Sequence, residues 1–438
     1  MKKNYLFGML ALAAMTMVGC SNDEVVNDYS QDNAIEFGTY IGRDASSRAH
    51  VIDTEVLAEE GFGVFAYYTG QNEFANTDEP NFMYNQLVEG EVVNQADGRD
   101  KYNWSYSPVK YWPNNAGDKV SFFAYAPYKA DGKTDFDYNL SGSDATGYPT
   151  ITYNVPVVAE NYVNHHNQKD LLYLKNPASH MNLNKQKVDE KITFEFGHAL
   201  SRIAFAAKVL VDEVNADATG KENKDEHTLY KLHDGTTITI NSVTLKGKFF
   251  NKGILSLYRD NDNAGWSQQT ALNEPIKFIL KTDEFVNGEN VFKGEDVTTG
   301  DVNTDMNSGL LNNAENYLMI MPQNFTGEDK ITVTVDYNVV TEDKNLADDK
   351  SDIHNVIESV PFNFEFKEGY AYKFVLHLGM TSVKLEAIVN NWNDGGNWVV
   401  NVPVNGDQQN TNGDEWKEYY GNETSEGGEQ GGDTTAGE

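Results

Sequence analysis

Ile331-Thr332-Val333-Thr334-Val335-Asp336-Tyr337-Asn338-Val339 sets an apolar side chain at every second position with a polar one between. That period sends neighbouring side chains to opposite faces, as in a strand buried on one side. Ile151-Tyr153-Val155-Val157, Tyr372-Phe374-Leu376-Leu378 and Val383-Leu385-Ala387-Val389 repeat the pattern, with Gly, Asn and Asp clusters between such segments. No stretch of comparable length keeps helical spacing. Many short strands with turn chemistry between them predict an all-β chain built as sandwiches or barrels.

Composition narrows the function. At 438 residues the chain is long enough for two or three domains, each with its own core. Its 24 Tyr and 22 Phe supply far more aromatic bulk than a disordered chain carries. With 34 Lys+Arg against 67 Asp+Glu, the net charge of −33 repels a polyanion and argues against nucleic-acid binding. One Cys excludes a disulfide framework, a CxxC zinc site and a thioredoxin-like pair.

That cysteine, Cys20, closes an N-terminal segment made of Met-Lys-Lys, an apolar stretch from Leu6 to Val18, and Gly19. A basic start, an apolar core too short to span a membrane and a small residue before the break predict a signal peptide over residues 1–20. Ending on Cys resembles the bacterial lipobox, which implies acylation of Cys20 and an outer-membrane anchor. Met17 stands where that pattern usually has Leu.

Phe62 to Tyr68, Trp104 to Trp112 and Val120 to Tyr128 are expected to form the core of a first domain over residues 49–187. The Asn-rich segment 159–187 is the candidate interdomain connection, and a second domain runs over 188–405. Long acidic loops are expected at 212–234, 281–308 and 341–352. The Gly- and Glu-rich tail 406–438 is expected to be disordered.

The sequence carries little catalytic chemistry. GxSxG, P-loop and HExxH patterns are absent, and no cofactor or metal set stands out. His165, His166, His180 and His198 fall in one window, but His198 is better explained as a satisfied core or edge histidine than as a ligand. Asp260-Asn261-Asp262-Asn263-Ala264-Gly265 opens like a calcium loop, yet Ala271 stands where the bidentate Glu is needed, so a hairpin turn is the better reading.

Three segments resemble the fimbrillins of Bacteroidetes. They are Pro108-Val109-Lys110-Tyr111-Trp112-Pro113 with the Val120 to Pro127 run, Phe194-Glu195-Phe196-Gly197-His198-Ala199-Leu200-Ser201-Arg202, and Leu318-Met319-Ile320-Met321-Pro322-Gln323, joined by Gly369-Tyr370-Ala371-Tyr372 and Asn391-Trp392-Asn393. The resemblance implies two tandem transthyretin-like β-sandwich domains after a signal peptide and a propeptide, 21–48. It implies a non-enzymatic type V pilus subunit for adhesion, partnered by other fimbrial subunits and an Arg-specific maturation protease. Cleavage is expected between Arg48 and Ala49, with Arg43 as second choice.

Such cleavage would remove the alternating segment Ile35, Phe37, Thr39 and Ile41 and open a groove. Trp398, Val400, Val402 and Val404 of another subunit could fill it by strand addition. At roughly 1.5–3 kcal/mol per buried large side chain, four such residues contribute on the order of 6–12 kcal/mol before association entropy is subtracted. Because the polar tail continues past Val404, a tip or accessory adhesin, or a surface glycan-binding lipoprotein that does not polymerise, stays open. In that case acidic loops and exposed aromatics such as Trp266 would meet a host or bacterial glycan or protein.

Overall fold

The computed structural model describes residues 33–41, 54–94, 100–130, 138–164, 167–188, 191–209, 213–214, 229–231, 235–259, 265–281, 285, 290–294, 298–299, 309–310, 317–391, 400–403 and 418–420. The first ten strands are β1 (Phe37–Ile41), β2 (Phe62–Gly70), β3 (Met83–Asn94), β4 (Asp100–Ser105), β5 (Lys119–Ala126), β6 (Tyr138–Leu140), β7 (Thr150–Asn154), β8 (Leu172–Leu174), β9 (Ile192–His198) and β10 (Ser201–Val209). Next come β11 (Glu213–Val214), β12 (Leu229–Lys231), β13 (Thr236–Gly247), β14 (Phe250–Ser256), β15 (Trp266–Ala271), β16 (Ile276–Lys281), β17 (Val291–Lys293), β18 (Thr298–Thr299) and β19 (Gly309–Leu310). The last are β20 (Leu318–Ile320), β21 (Gln323–Phe325), β22 (Thr332–Glu342), β23 (Lys350–Glu358), β24 (Phe364–Phe366), β25 (Tyr370–Leu378), β26 (Ser382–Asn391), β27 (Val400–Pro403) and β28 (Glu418–Tyr420). The chain is nearly all β, as expected. Among the described residues one short α-helix, α1 (Thr54–Glu60), buries Leu57 and Ala58 and ends at Gly61, whose φ of 71° favours a residue without a Cβ.

The N-terminal sheet runs β1-β9-β8-β5-β2-β3-β4. Its central strands β2 and β5 are buried on both faces, which is why Phe62 to Tyr67 and Phe122 to Ala126 are runs without charged or alternating polar residues. Phe62, Val64, Phe122 and Ala124 join Phe37, Trp112, Phe194 and Phe196 in one core. Phe65, Tyr67, Phe123 and Tyr125 point the other way, into a second core shared with the rest of the chain. The two ends of the sheet meet over the first core: Phe37 of β1 lies 5.1 Å from the ring of Tyr106, just past β4.

In the C-terminal half, β16-β13-β22-β23 form one sheet and β19-β10-β25-β26-β27 another. Val333 and Val335 of the first line a small apolar gap with Leu376, Val383 and Leu385 of the second, so the two sheets pack face to face. A bulge at Asn241 resets the phase of β13, so that Ile238 and Ile240 before it and Val243 and Leu245 after it all reach the core. The Asn241 side chain donates to Asp336 Oδ1 at 2.7 Å across the bulge.

Several expectations need correction. Hydrogen bonding does not break at residues 187 and 188: β9 belongs to the N-terminal sheet, and β14 pairs with β7 across that position. The segment 159–187 is not a bare connection, because Leu172–Leu174 is a fully buried strand between β5 and β9. A run that short and uniformly apolar carries no alternation to betray it. The acidic 341–352 loop shrinks to a turn, since Glu342 already pairs with Lys350. Within the tail, Glu418–Tyr420 pairs with Ser382–Lys384 of β26, and the rest of 406–438 lies outside the described residues. Trp266 is buried, not exposed, and its indole N–H donates to the Ala199 carbonyl at 2.9 Å. Around 260–264, which lie outside the described residues, β14 and β15 pair antiparallel as a hairpin requires.

Candidate strand-exchange site at the sheet edge

The site is built on β1, the edge strand of the N-terminal sheet. Ile35 and Ile41 are buried, as is Phe37, and all three contribute to the first core. Thr39 shares their face. Phe37, Thr39 and Ile41 thus lie on β1, and Ile35 lies just before it. Tyr40, on the opposite face, is 49% exposed. The Phe37 ring is stacked on Phe194 at 5.4 Å and edge-on to Phe122 at 6.0 Å.

Two rails hold this strand. On one side β1 runs parallel to β9, with Phe37 opposite Ile192 and Ile41 opposite Phe196. On the other side the residues just before and at its start meet the segment Tyr106 to Trp112. Ile35 N–H donates to the Lys110 carbonyl and Trp112 N–H to the Asn33 carbonyl, each at 2.9 Å. The Tyr106 hydroxyl donates to the Ile35 carbonyl at 2.8 Å. Burial raises the Tyr106 pKa to about 12 from its ordinary 10.0, so this phenol stays protonated and able to donate. Trp112 sits edge-on to Phe122 at 6.0 Å, so the Pro108 to Pro113 motif forms the second rail. The alternation of Ile192, Phe194 and Phe196 could have identified β9 as an apolar wall; no sequence signal picks out Tyr106.

Lifting β1 away would expose what it covers. Three buried large side chains at about 1.5–3 kcal/mol each amount to roughly 5–9 kcal/mol. Whole domains are stable by about 5–15 kcal/mol, so an emptied slot leaves the fold marginal until it is refilled.

Of the remaining expected residues, Cys20, Arg43, Arg48 and Ala49 lie outside the described residues, as do Trp398 and Val404. Val400 and Val402 lie on β27, which pairs antiparallel with β26 of the same chain, Val402 opposite Ala387. His198 is a satisfied core histidine: its Nδ1 is 2.8 Å from Asp170 Oδ2, and both side chains are buried. His180 is satisfied on both ring nitrogens, Nε2 lying 2.9 Å from the Thr193 carbonyl oxygen and Nδ1 3.0 Å from the Ser179 hydroxyl.

The fimbrillin-like family model matches residues 47–392, most of the chain. The chain belongs to the fimbrillin-like family. This fimbrillin-like chain is 28% identical over 410 residues to fimbrium subunit Fim1C of Phocaeicola vulgatus, covering 90% of the chain and 98% of that relative. Among solved structures it resembles a fimbrial protein from Bacteroides vulgatus, with TM-score 0.56 and 21% identity over 82% of the chain and 99% of that structure. A cell adhesion protein from Bacteroides uniformis aligns at TM-score 0.39 and 12% identity, over 82% of the chain and 98% of that structure. Both β1 and β27 fall outside the span that the family model matches.

Proposed function

We propose that this fimbrillin-like chain is a structural subunit of a cell-surface type V fimbria serving adhesion. It is exported as an outer-membrane lipoprotein acylated at Cys20, matured at Arg48 (Arg43 as the alternative) by an Arg-specific protease, and polymerised by donor-strand addition. The observation that carries this reading is the placement of β1. It is an edge strand whose apolar face plugs an aromatic core, with the acylation segment before it and two arginines directly after it. The relative from Phocaeicola vulgatus, a fimbrium subunit, supports the same role. Its partners are other fimbrial subunits, and its work is mechanical rather than catalytic.

The test is to treat unacylated precursor with an Arg-specific protease. A new N-terminus at Ala49 together with higher oligomers supports the reading; clean trimming that leaves a monomer refutes a stalk subunit. That second outcome favours a tip or accessory subunit, for which one observation speaks: β27 and β28 both pair along β26 of their own chain and cap its edge in place.

A further inference from the structure

Cleavage after Arg48 would cut the covalent link to β1 but would leave its burial and backbone hydrogen bonds untouched. Something must make the resident strand a weaker occupant than the incoming one. Ile35, Phe37 and Ile41 fill the aromatic core; Thr39, on the same face between the last two, does not match them. Its Oγ1 is buried and has no hydrogen-bond partner among the described residues. Thr39 lies opposite Phe194, whose ring is stacked on Phe37, so its neighbour across the pair is an apolar side chain with no hydrogen bond to offer. A hydroxyl withdrawn from water without a partner weakens the strand that carries it, and a Val methyl of the same volume would not. The expected donor row, Trp398, Val400, Val402 and Val404, has no hydroxyl at any of its positions.

We propose that Thr39 is the specificity-determining residue of strand exchange, a weak rung that lets an all-apolar strand from a second copy of this chain displace β1. The proposal rests on the strand-exchange reading above.

The experiment compares unacylated precursor with its Thr39→Val and Thr39→Ser variants in two ways. After cleavage by an Arg-specific protease, separation of the β1 fragment is followed by size exclusion and mass spectrometry. Thr39→Val should slow release by about 5- to 150-fold, the factor that corresponds to an unmet buried hydroxyl. Thr39→Ser, which keeps the hydroxyl, should release at least as fast as the parent. In the uncleaved chain, amide exchange along Ile192–Phe196 should slow in Thr39→Val and not in Thr39→Ser, a readout that needs neither cleavage nor assembly. Release of Thr39→Val at or above the parent rate, or faster exchange in the uncleaved variant, overturns the proposal. If the parent releases its fragment and no polymer forms, the fibre reading fails, while the order of release rates still decides the role of Thr39.

Discussion

At the scale of single residues, the largest effects belong to groups mostly withdrawn from water. Arg259 forms a double ion pair with Glu368 and lies 4.0 Å from the centre of the Tyr173 ring, with both charged side chains largely buried. Arg259→Leu strands a buried carboxylate and should destabilise the protein by about 3–5 kcal/mol in urea unfolding, with most of the loss recovered by adding Glu368→Leu. Phe37→Ala should cost about 3–5 kcal/mol by the same measurement, because three rings close around the vacated volume. Tyr106 gives a pH dependence. The unfolded chain releases its phenolic proton near 10, whereas burial holds it in the folded chain to about 12. The folded state therefore binds more protons between these values, and stability falls as pH rises through them. A phenolate cannot donate to the Ile35 carbonyl, so amide exchange of β1 should rise alongside phenolate absorbance.

At the scale of elements, the sequence was most legible where strands are half-buried. The alternation in 331–339 became β22, and those beginning at Tyr372 and Val383 became β25 and β26. Phe37 and Ile41 of β1, with Ile35 just before it, are core residues that share the same alternation. What alternation could not supply was pairing. Nothing in Leu172-Tyr173-Leu174 distinguishes a central strand from a loop, and the parallel partnership of β1 with β9 joins residues about 150 positions apart. The rail formed by Tyr106 to Trp112 was equally hidden, because it acts largely through backbone groups that any residue offers. One prediction belongs to this scale. Truncation after Asn397 removes the expected donor and strips β27 and β28 from β26, so polymer should not form after protease treatment, as scored by light scattering. Normal polymer from the truncated chain would refute Val400 and Val402 as donor residues.

Across the whole molecule, the two halves are stitched together rather than strung on a linker. The β7–β14 ladder crosses between them, and the Gln168 side chain bonds both the N–H and the carbonyl of Met319, at 3.0 and 2.7 Å. One core runs from Phe65 of the first sheet to Ala387 of the last. Unfolding should accordingly be a single transition, with fluorescence and far-ultraviolet circular dichroism giving the same urea midpoint; two separated transitions would mean the ladder is a weak hinge. The placement of β1 also has a mechanical consequence. Backbone bonds run across a strand, so a tug along the axis of a strand paired with β9 strains all its rungs together. A sideways tug opens them one after another. Held to β9 along its whole length and to the Tyr106 to Trp112 segment only through Asn33 and Ile35, the resident strand should resist a lengthwise pull by shear and yield to peeling from its Ile41 end.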